Sequence, residues 1–153
     1  MANNCYIKLR VIAPHKKDLV FLRDILKDKT DITMSAYNGK LHKPFKRNDG
    51  LYEGVISAIC SWSCTDFFNG FNSKCDDYIN MIDFCHEYGV AAECWAQECG
   101  FGFQQHFIID NKGEVICPLE SMDCSFANDD DDEPSEGGFY NFGVWSQDSL
   151  LLH

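Results

Sequence analysis

Residues 54 to 109 constrain the fold more than any other stretch. They run in order through extended apolar sequence (Val55 to Cys64), a loop, a helical spacing (Cys75 to Tyr88) and two more extended runs (Val90 to Gln97, Phe103 to Ile109). The last two runs flank Cys99-Gly100-Phe101-Gly102, a natural hairpin turn, so they predict neighbouring antiparallel strands. In the first run Ile56, Ala58, Cys60 and Trp62 point one way, and Val55, Ser57, Ile59 and Ser61 the other. In the hairpin Val90, Ala92, Cys94 and Ala96 oppose Glu93, Trp95 and Gln97, while Phe103, Gln105, Phe107 and Ile109 oppose Gln104, His106 and Ile108. Strands with one apolar and one mixed face belong to a sheet whose two sides differ. The helix between them carries the stripe Tyr78, Ile82 and Cys85; Ser73 with Asp76 resembles its capping box, and Gly89 suits its end.

The first fifty residues supply another strand and helix. Asn3 to Ile12 alternates, with Ile7, Leu9 and Val11 on one face and Tyr6, Lys8, Arg10 and Ile12 on the other, and Ala13-Pro14 ends it. Lys16 to Lys29 places Leu19, Leu22, Ile25 and Leu26 on one helical face. Leu41 to Arg47 reads as a short strand, confined to an edge by Pro44. Glu114 to Cys117 reads as a short returning strand after the turn Asp110 to Gly113. These patterns predict an α+β, ferredoxin-like βαββαβ-type sandwich. Its antiparallel sheet comprises residues 4–12, 54–63, 90–97 and 103–109, with helices 16–29 and 75–88 on one face. Leu9, Val11, Leu22, Leu26, Ile56, Ala58, Ile82 and Phe107 are its expected core. Residues 1–118 form the domain; 119–153 are an acidic and aromatic C-terminal extension, whose apolar part, Phe139 to Leu152, is expected to pack on the domain or on a partner.

Charge narrows function. The formal net charge is −11, unevenly placed. Residues 1–50 hold 11 Lys and Arg against 5 Asp and Glu, a balance of +6; residues 51–153 hold 2 against 19, a balance of −17. Such a field disfavours direct nucleic-acid binding and attracts a basic surface. Lys40, Lys43, Lys46 and Arg47 form a basic loop, which suits a phosphate or simply solvent. No apolar run approaches the roughly 20 residues that span a bilayer, and the start, MANNCYIKLRV, does not read as a secretory signal. An intracellular protein is expected. Nine cysteines without a C-x-x-C pair then read as packing thiols rather than a disulfide framework, with no cofactor expected.

Asn3-x-Cys5 leading into Leu9-x-Val11 and Pro14, then Ser61-Trp62-Ser63, then Glu98-x-Gly100-x-Gly102-Phe103, resemble the YubB-type ferredoxin-like family of plasmid and phage proteins. The resemblance spans about residues 3–118. The family commonly has tryptophan where Asn4 stands and prolines where Ser63-Cys64-Thr65 follows Trp62. It implies a cytoplasmic location in a bacterial host and assigns no catalytic residue. Together with the charge, it leads to the expectation of a non-enzymatic inhibitor of a basic, nucleic-acid-binding host protein such as a defence nuclease. The expected contacts are Asp66, Phe67, Phe68 and Phe71 in an aromatic loop, and the acidic block Asp129, Asp130, Asp131, Asp132 and Glu133. The competing reading is a small thiol- or zinc-dependent enzyme, with His86 or His106 paired to Cys85 or Cys94 near Glu93.

Overall fold

In the computed structural model, residues 3–27, 34–70, 79–123 and 144–153 are described. Six strands, β1 (Asn4–Ala13), β2 (Tyr37–Lys46), β3 (Tyr52–Ser61), β4 (Ala91–Glu98), β5 (Phe103–Ile109) and β6 (Val115–Asp123), form one antiparallel sheet in the order β2-β3-β1-β4-β5-β6. The helices are α1 (Lys16–Lys27), α2 (Thr65–Asn69), α3 (Met81–Tyr88) and α4 (Asp148–Leu151). The architecture is therefore α+β. The expected four strands are all present, and the two short runs written as marginal in the sequence become the edges.

The alternation in β1 fixes its register. Leu9 stands opposite Ile56 of β3 and Cys94 of β4, so three apolar side chains meet on one face. That inner face continues through Val11, Ala58, Ala92 and Phe107, all buried. The buried stripe of α1 (Leu19, Leu22, Ile25, Leu26) and that of α3 (Met81, Phe84, Cys85) both join this core. The two helices touch through Phe21 and Phe84, whose ring centroids are 6.1 Å apart, so they share one face of the sheet. Each large side chain fully buried here contributes on the order of 1.5–3 kcal/mol.

Four local expectations are corrected. Helix α3 begins at Met81, not 75, because Asn80 is extended (φ −111°) and its side chain accepts from the Asp83 N–H at 2.9 Å, capping the helix there. The expected cap at Ser73 and Asp76 lies outside the described residues. The late start turns Ile82 to a half-buried position, and Met81 and Phe84 take the core. Asp66 to Asn69, expected as loop, is the single turn α2, closed by Gly70 in the left-handed conformation. Trp62 does not follow Ile56 and Cys60 inward, because its φ of 70° turns the chain out of the strand.

Both edge strands are irregular. β2 carries extra residues between Tyr37 and Lys40 and between His42 and Phe45, and β6 between its pairings with His106 and Ile109. Pro44 and Pro118 lie in these bulges, where a missing N–H is tolerated and pairing with another edge is discouraged. β6 runs through Pro118 to Asp123, so the sheet continues past the expected domain boundary.

The turn between β5 and β6 is tightly built. Asp110 is buried, and its Oδ1 accepts from the N–H groups of Lys112 and Glu114, both at 2.9 Å. A Cβ at Gly113 (φ +81°) would meet the His86 Cβ at 2.5 Å and its Cα at 2.7 Å; one at Gly50 (φ +85°) meets nothing within 4 Å. Gly50→Ala is expected to cost only the conformational term, about 1–2 kcal/mol. Gly113→Ala adds overpacking against α3 and is expected to cost a further 1–3 kcal/mol or so. Urea unfolding of the two variants checks the difference.

Candidate functional site

The outer face of the sheet is partly covered by residues 144–153. Leu151 of α4 is buried against Ile12, Ala91 and Ile108. The rest of the contact is polar and centres on Glu93, which points outward from β4 and is fully buried. Its Oε1 accepts from the Ser146 N–H at 2.7 Å; its Oε2 accepts from the Ser146 hydroxyl at 2.7 Å and faces His106 Nε2 at 2.8 Å. Arg10, opposite Glu93 in the sheet, donates to the Ser146 carbonyl at 3.0 Å and to Asp148 at 2.6 Å. Arg47 bridges Glu53 at 2.6 Å and Asp148 at 2.5 Å. The Trp95 indole N–H donates to the Val144 carbonyl at 3.1 Å. Of the described apolar residues of this segment, Leu151 is buried on the sheet, while Val144 and Leu150 are exposed.

His106 is held from three sides. Because a carboxylate only accepts, Nε2 carries a proton toward Glu93; Nδ1 faces the Cys117 Sγ at 3.7 Å, and that sulfur lies equally near the Pro118 carbonyl oxygen, at 3.7 Å. Trp95 stacks on the ring at a centroid distance of 4.0 Å. The sequence reading placed the nucleophile at Cys85 or Cys94 and considered His86. Cys85 and Cys94 are fully buried in the core, where burial pushes their thiols up, and His86 lies exposed on α3. Cys117 went unrecognised because it sits eleven residues from His106 across a bulged turn. Its thiol is also raised, by burial and then by Glu120 and Glu93.

The expected aromatic loop divides. Phe67 and Phe68 are core residues, with Phe68 packed on Phe107 at a centroid distance of 4.7 Å, so neither offers a contact to a partner. Asp66 is exposed on α2. Phe71 and the block Asp129, Asp130, Asp131, Asp132 and Glu133 lie outside the described residues. Tyr6, Tyr37 and Phe45 are exposed on β1 and β2, and a pair of exposed aromatics meets at the adjoining ends of β3 and the β4–β5 hairpin. Trp62 is 50% exposed and Phe101 74% exposed, with centroids 6.3 Å apart. Glu98, itself buried, holds the hairpin by accepting from the N–H groups of Gly100 at 2.5 Å and Phe101 at 2.7 Å. A bulky residue with positive φ, as Trp62 is, occupies a strained position.

The described cysteines (Cys5, Cys60, Cys64, Cys85, Cys94, Cys99, Cys117) are free thiols. Among the described residues no group of three or more His, Cys, Asp or Glu side chains is placed to hold a metal ion, and no helix is long and apolar enough to cross a membrane.

The latch on residues 144–153 carries a pH dependence. Burial alone raises the Glu93 carboxyl, but the hydrogen bonds from His106 and Ser146 outweigh it and hold the group below the usual glutamate range. Arg47 and Arg10 likewise lower Asp148. A carboxyl depressed in the fold contributes stability above its unfolded value and loses it as pH falls through the folded one. The C-terminal residues should therefore release below about pH 4, seen as a change in Trp95 and Trp145 fluorescence. Glu93→Gln should weaken the latch by roughly 1.5–3 kcal/mol at neutral pH, measured by hydrogen exchange over 144–153, and shrink the acid transition.

Comparison with family models, with curated proteins and with solved structures finds no match for this chain.

Proposed function

We propose that this protein is a non-enzymatic binder that occupies a basic, nucleic-acid-binding surface of another protein. The resemblance to plasmid and phage proteins makes a host defence nuclease in the bacterial cytoplasm the fitting target. The supporting observation is that the exposed charges of the described residues lean in space as they do in sequence, with Asp24 and Asp49 toward the basic side and Lys112 beside the acidic one as exceptions. Exposed Lys16, Lys17 and Lys27 lie on α1 and Lys40, Lys43 and Lys46 on β2, toward one edge of the sheet. Exposed Asp83 and Glu87 lie on α3, Glu114 before β6, and Glu120 and Asp123 on it, toward the other. Six strands at about 4.8 Å spacing separate the edges by roughly 24 Å, well beyond the screening length of about 8 Å. The acidic edge therefore presents its own field to a basic partner. The ferredoxin-like reading of the core belongs here too. It is supported by the order β2-β3-β1-β4 with α1 after β1 and α3 before β4, to which the β5–β6 hairpin is added.

Affinity requires an apolar anchor as well as charge. With Phe67 and Phe68 in the core, Trp62 and Phe101 take that role, four residues and one hairpin away from exposed Asp66. Trp62→Gly separates fold from binding, because glycine relieves the positive φ. The melting temperature is expected to hold or rise by a few degrees, while dissociation from the partner speeds by about tenfold or more, the scale of a lost hot-spot aromatic. Changing Asp129 to Asp132 to Asn should slow association and flatten its salt dependence. Partner capture from host lysate followed by surface binding kinetics makes both measurements. Unchanged kinetics in both variants, or tight DNA binding by the wild type at physiological salt, would sink the reading.

A second reading rests on the Cys117–His106–Glu93 chain of contacts, which has the order thiol, imidazole, carboxylate of a nucleophilic centre. Burial, and then Glu120 and Glu93, oppose it by pushing the thiol up. Iodoacetamide alkylation decides between the two. A thiol activated by His106 reacts faster than exposed Cys99 at pH 7 and loses that advantage in His106→Asn. A structural Cys117 reacts more slowly than Cys99 in both proteins.

A further inference from the structure

Asp148 places its carboxylate in a clamp. Arg10 donates to its Oδ1 at 2.6 Å and Arg47 to its Oδ2 at 2.5 Å. The two arginines come from separate parts of the chain, Arg10 from β1 and Arg47 from the residue after β2, and their side chains are nearly enclosed, at 9% and 13% exposure. The acid differs from its donors: its side chain is 49% exposed and rides on the four-residue helix α4. A fixed pair of guanidiniums thus converges on a carboxylate that solvent reaches.

A depression of about 510 Å³ adjoins the clamp. Among the described residues that line it, the cations Arg10, Lys46 and Arg47 balance the acids Asp49, Glu53 and Asp148. Each acid bonds one or both arginines. They are not equally fixed. Glu53 belongs to the sheet, paired with Ile12 and Phe45 on the strands either side. Asp49 belongs to the β2–β3 turn, where its Oδ1 also accepts from the Leu51 N–H at 3.0 Å. Asp148 depends on where α4 lies. Its departure leaves one excess positive charge around two convergent guanidiniums, with exposed Lys46 lining the same depression.

We propose that Arg10 and Arg47 form a phosphate site, and that Asp148 is its tethered occupant, displaced when a phosphate group, free or as a monoester, binds. Guanidinium forks match phosphate as they match carboxylate. A phosphate carries close to two negative charges at neutral pH and has more acceptor oxygens than a carboxylate. It keeps both arginine bonds and leaves an oxygen for Lys46. The tethered acid competes with it. The apparent affinity for phosphate is the intrinsic one scaled by the fraction of molecules in which Asp148 is away. The coupling is negative and reciprocal: phosphate loosens α4, and loss of the carboxylate tightens phosphate. Ser146 and Leu151 keep their own contacts with Glu93 and the sheet, so displacement frees α4 at its start and not the whole segment. The proposal is independent of protein capture, and either can fail alone.

Isothermal titration calorimetry at neutral pH and constant ionic strength tests it, with inorganic phosphate and O-phosphoserine as probes and chloride as the control. Asp148→Ala is expected to bind at least one probe saturably and about tenfold or more tightly than the wild type does. An ion pair with no ligand to exclude would leave phosphate binding unchanged. Arg47→Gln, added to Asp148→Ala, is expected to remove the gain. The more tightly bound probe tells free phosphate from a monoester. A second measurement needs no variant. The Leu150 and Leu152 amides bond the Gln147 and Asp148 carbonyls in α4, and their hydrogen exchange in the wild type is expected to speed with phosphate but not with chloride. The proposal is overturned if neither probe saturates, if Asp148→Ala binds no more tightly than the wild type, if the gain survives Arg47→Gln, or if phosphate leaves exchange in α4 unchanged. Should Asp148→Ala fail to fold, the wild-type exchange decides alone.

Discussion

A sheet packed on one side by helices has a second side to dispose of, and in this protein Glu93 determines how. Its carboxylate is fully buried at the centre of the outer face, beside Arg10 on the neighbouring strand. A buried ion is costly unless every lone pair finds a donor. Besides His106 for the carboxylate and Glu53 and Asp148 for the guanidinium, one residue of the distant C-terminus serves both: Ser146 gives its N–H and hydroxyl to Glu93 and its carbonyl to Arg10. The closure is reciprocal. Without Ser146 two buried charges lose partners; without the charges, the segment keeps Leu151, the Trp95–Val144 hydrogen bond, the Arg47–Asp148 pair and the bonds to Asn111.

The parts of this architecture written locally were legible. Alternation in β1, β3, β4 and β5 and the helical stripe of α1 depend on neighbours two to four residues apart, and each strand formed where its pattern ran. The edges were under-read because Pro44 and Pro118 look like breaks, whereas bulges absorb them and pairing resumes beyond. Trp62 was misplaced because the period-2 pattern continues through it, and a change in the sign of φ leaves no trace in hydrophobicity. Phe67 and Phe68 were read as a loop because a five-residue helix is too short for a stripe. The latch joins positions 10, 93, 106, 146 and 148, which share no spacing, so only the assembled sheet brings them together.

The cysteines follow from the same geometry. Cys5 and Cys60 face one another across β1 and β3, and Cys64 and Cys94 interact in the core between α2 and the sheet. Burial and neighbouring thiols push Cys5 and Cys60 up, so these residues remain neutral, small and apolar. This is the zone where Phe67 and Phe68 pack on Phe107. Small side chains on the strands make room there for large ones from α2, the complementarity by which close-packed interiors are filled. The buried thiols thus belong to the packing, and Cys117, on the other face beside His106, stands apart from them in both position and contacts.

The latch and a depression on the same face are joined by a single peptide. Trp145 forms one wall of the depression, and the next residue, Ser146, is the one that Glu93 and Arg10 hold. Fixing Ser146 therefore fixes the wall, and lifting residues 144–153 removes it. Residues 144–153 thus complete the buried polar network of the sheet and wall the depression that Trp145 lines with Lys8, His42 and Val55. The charged pair at Arg10 and Glu93 that makes this face expensive to bury also holds the peptide that follows Trp145.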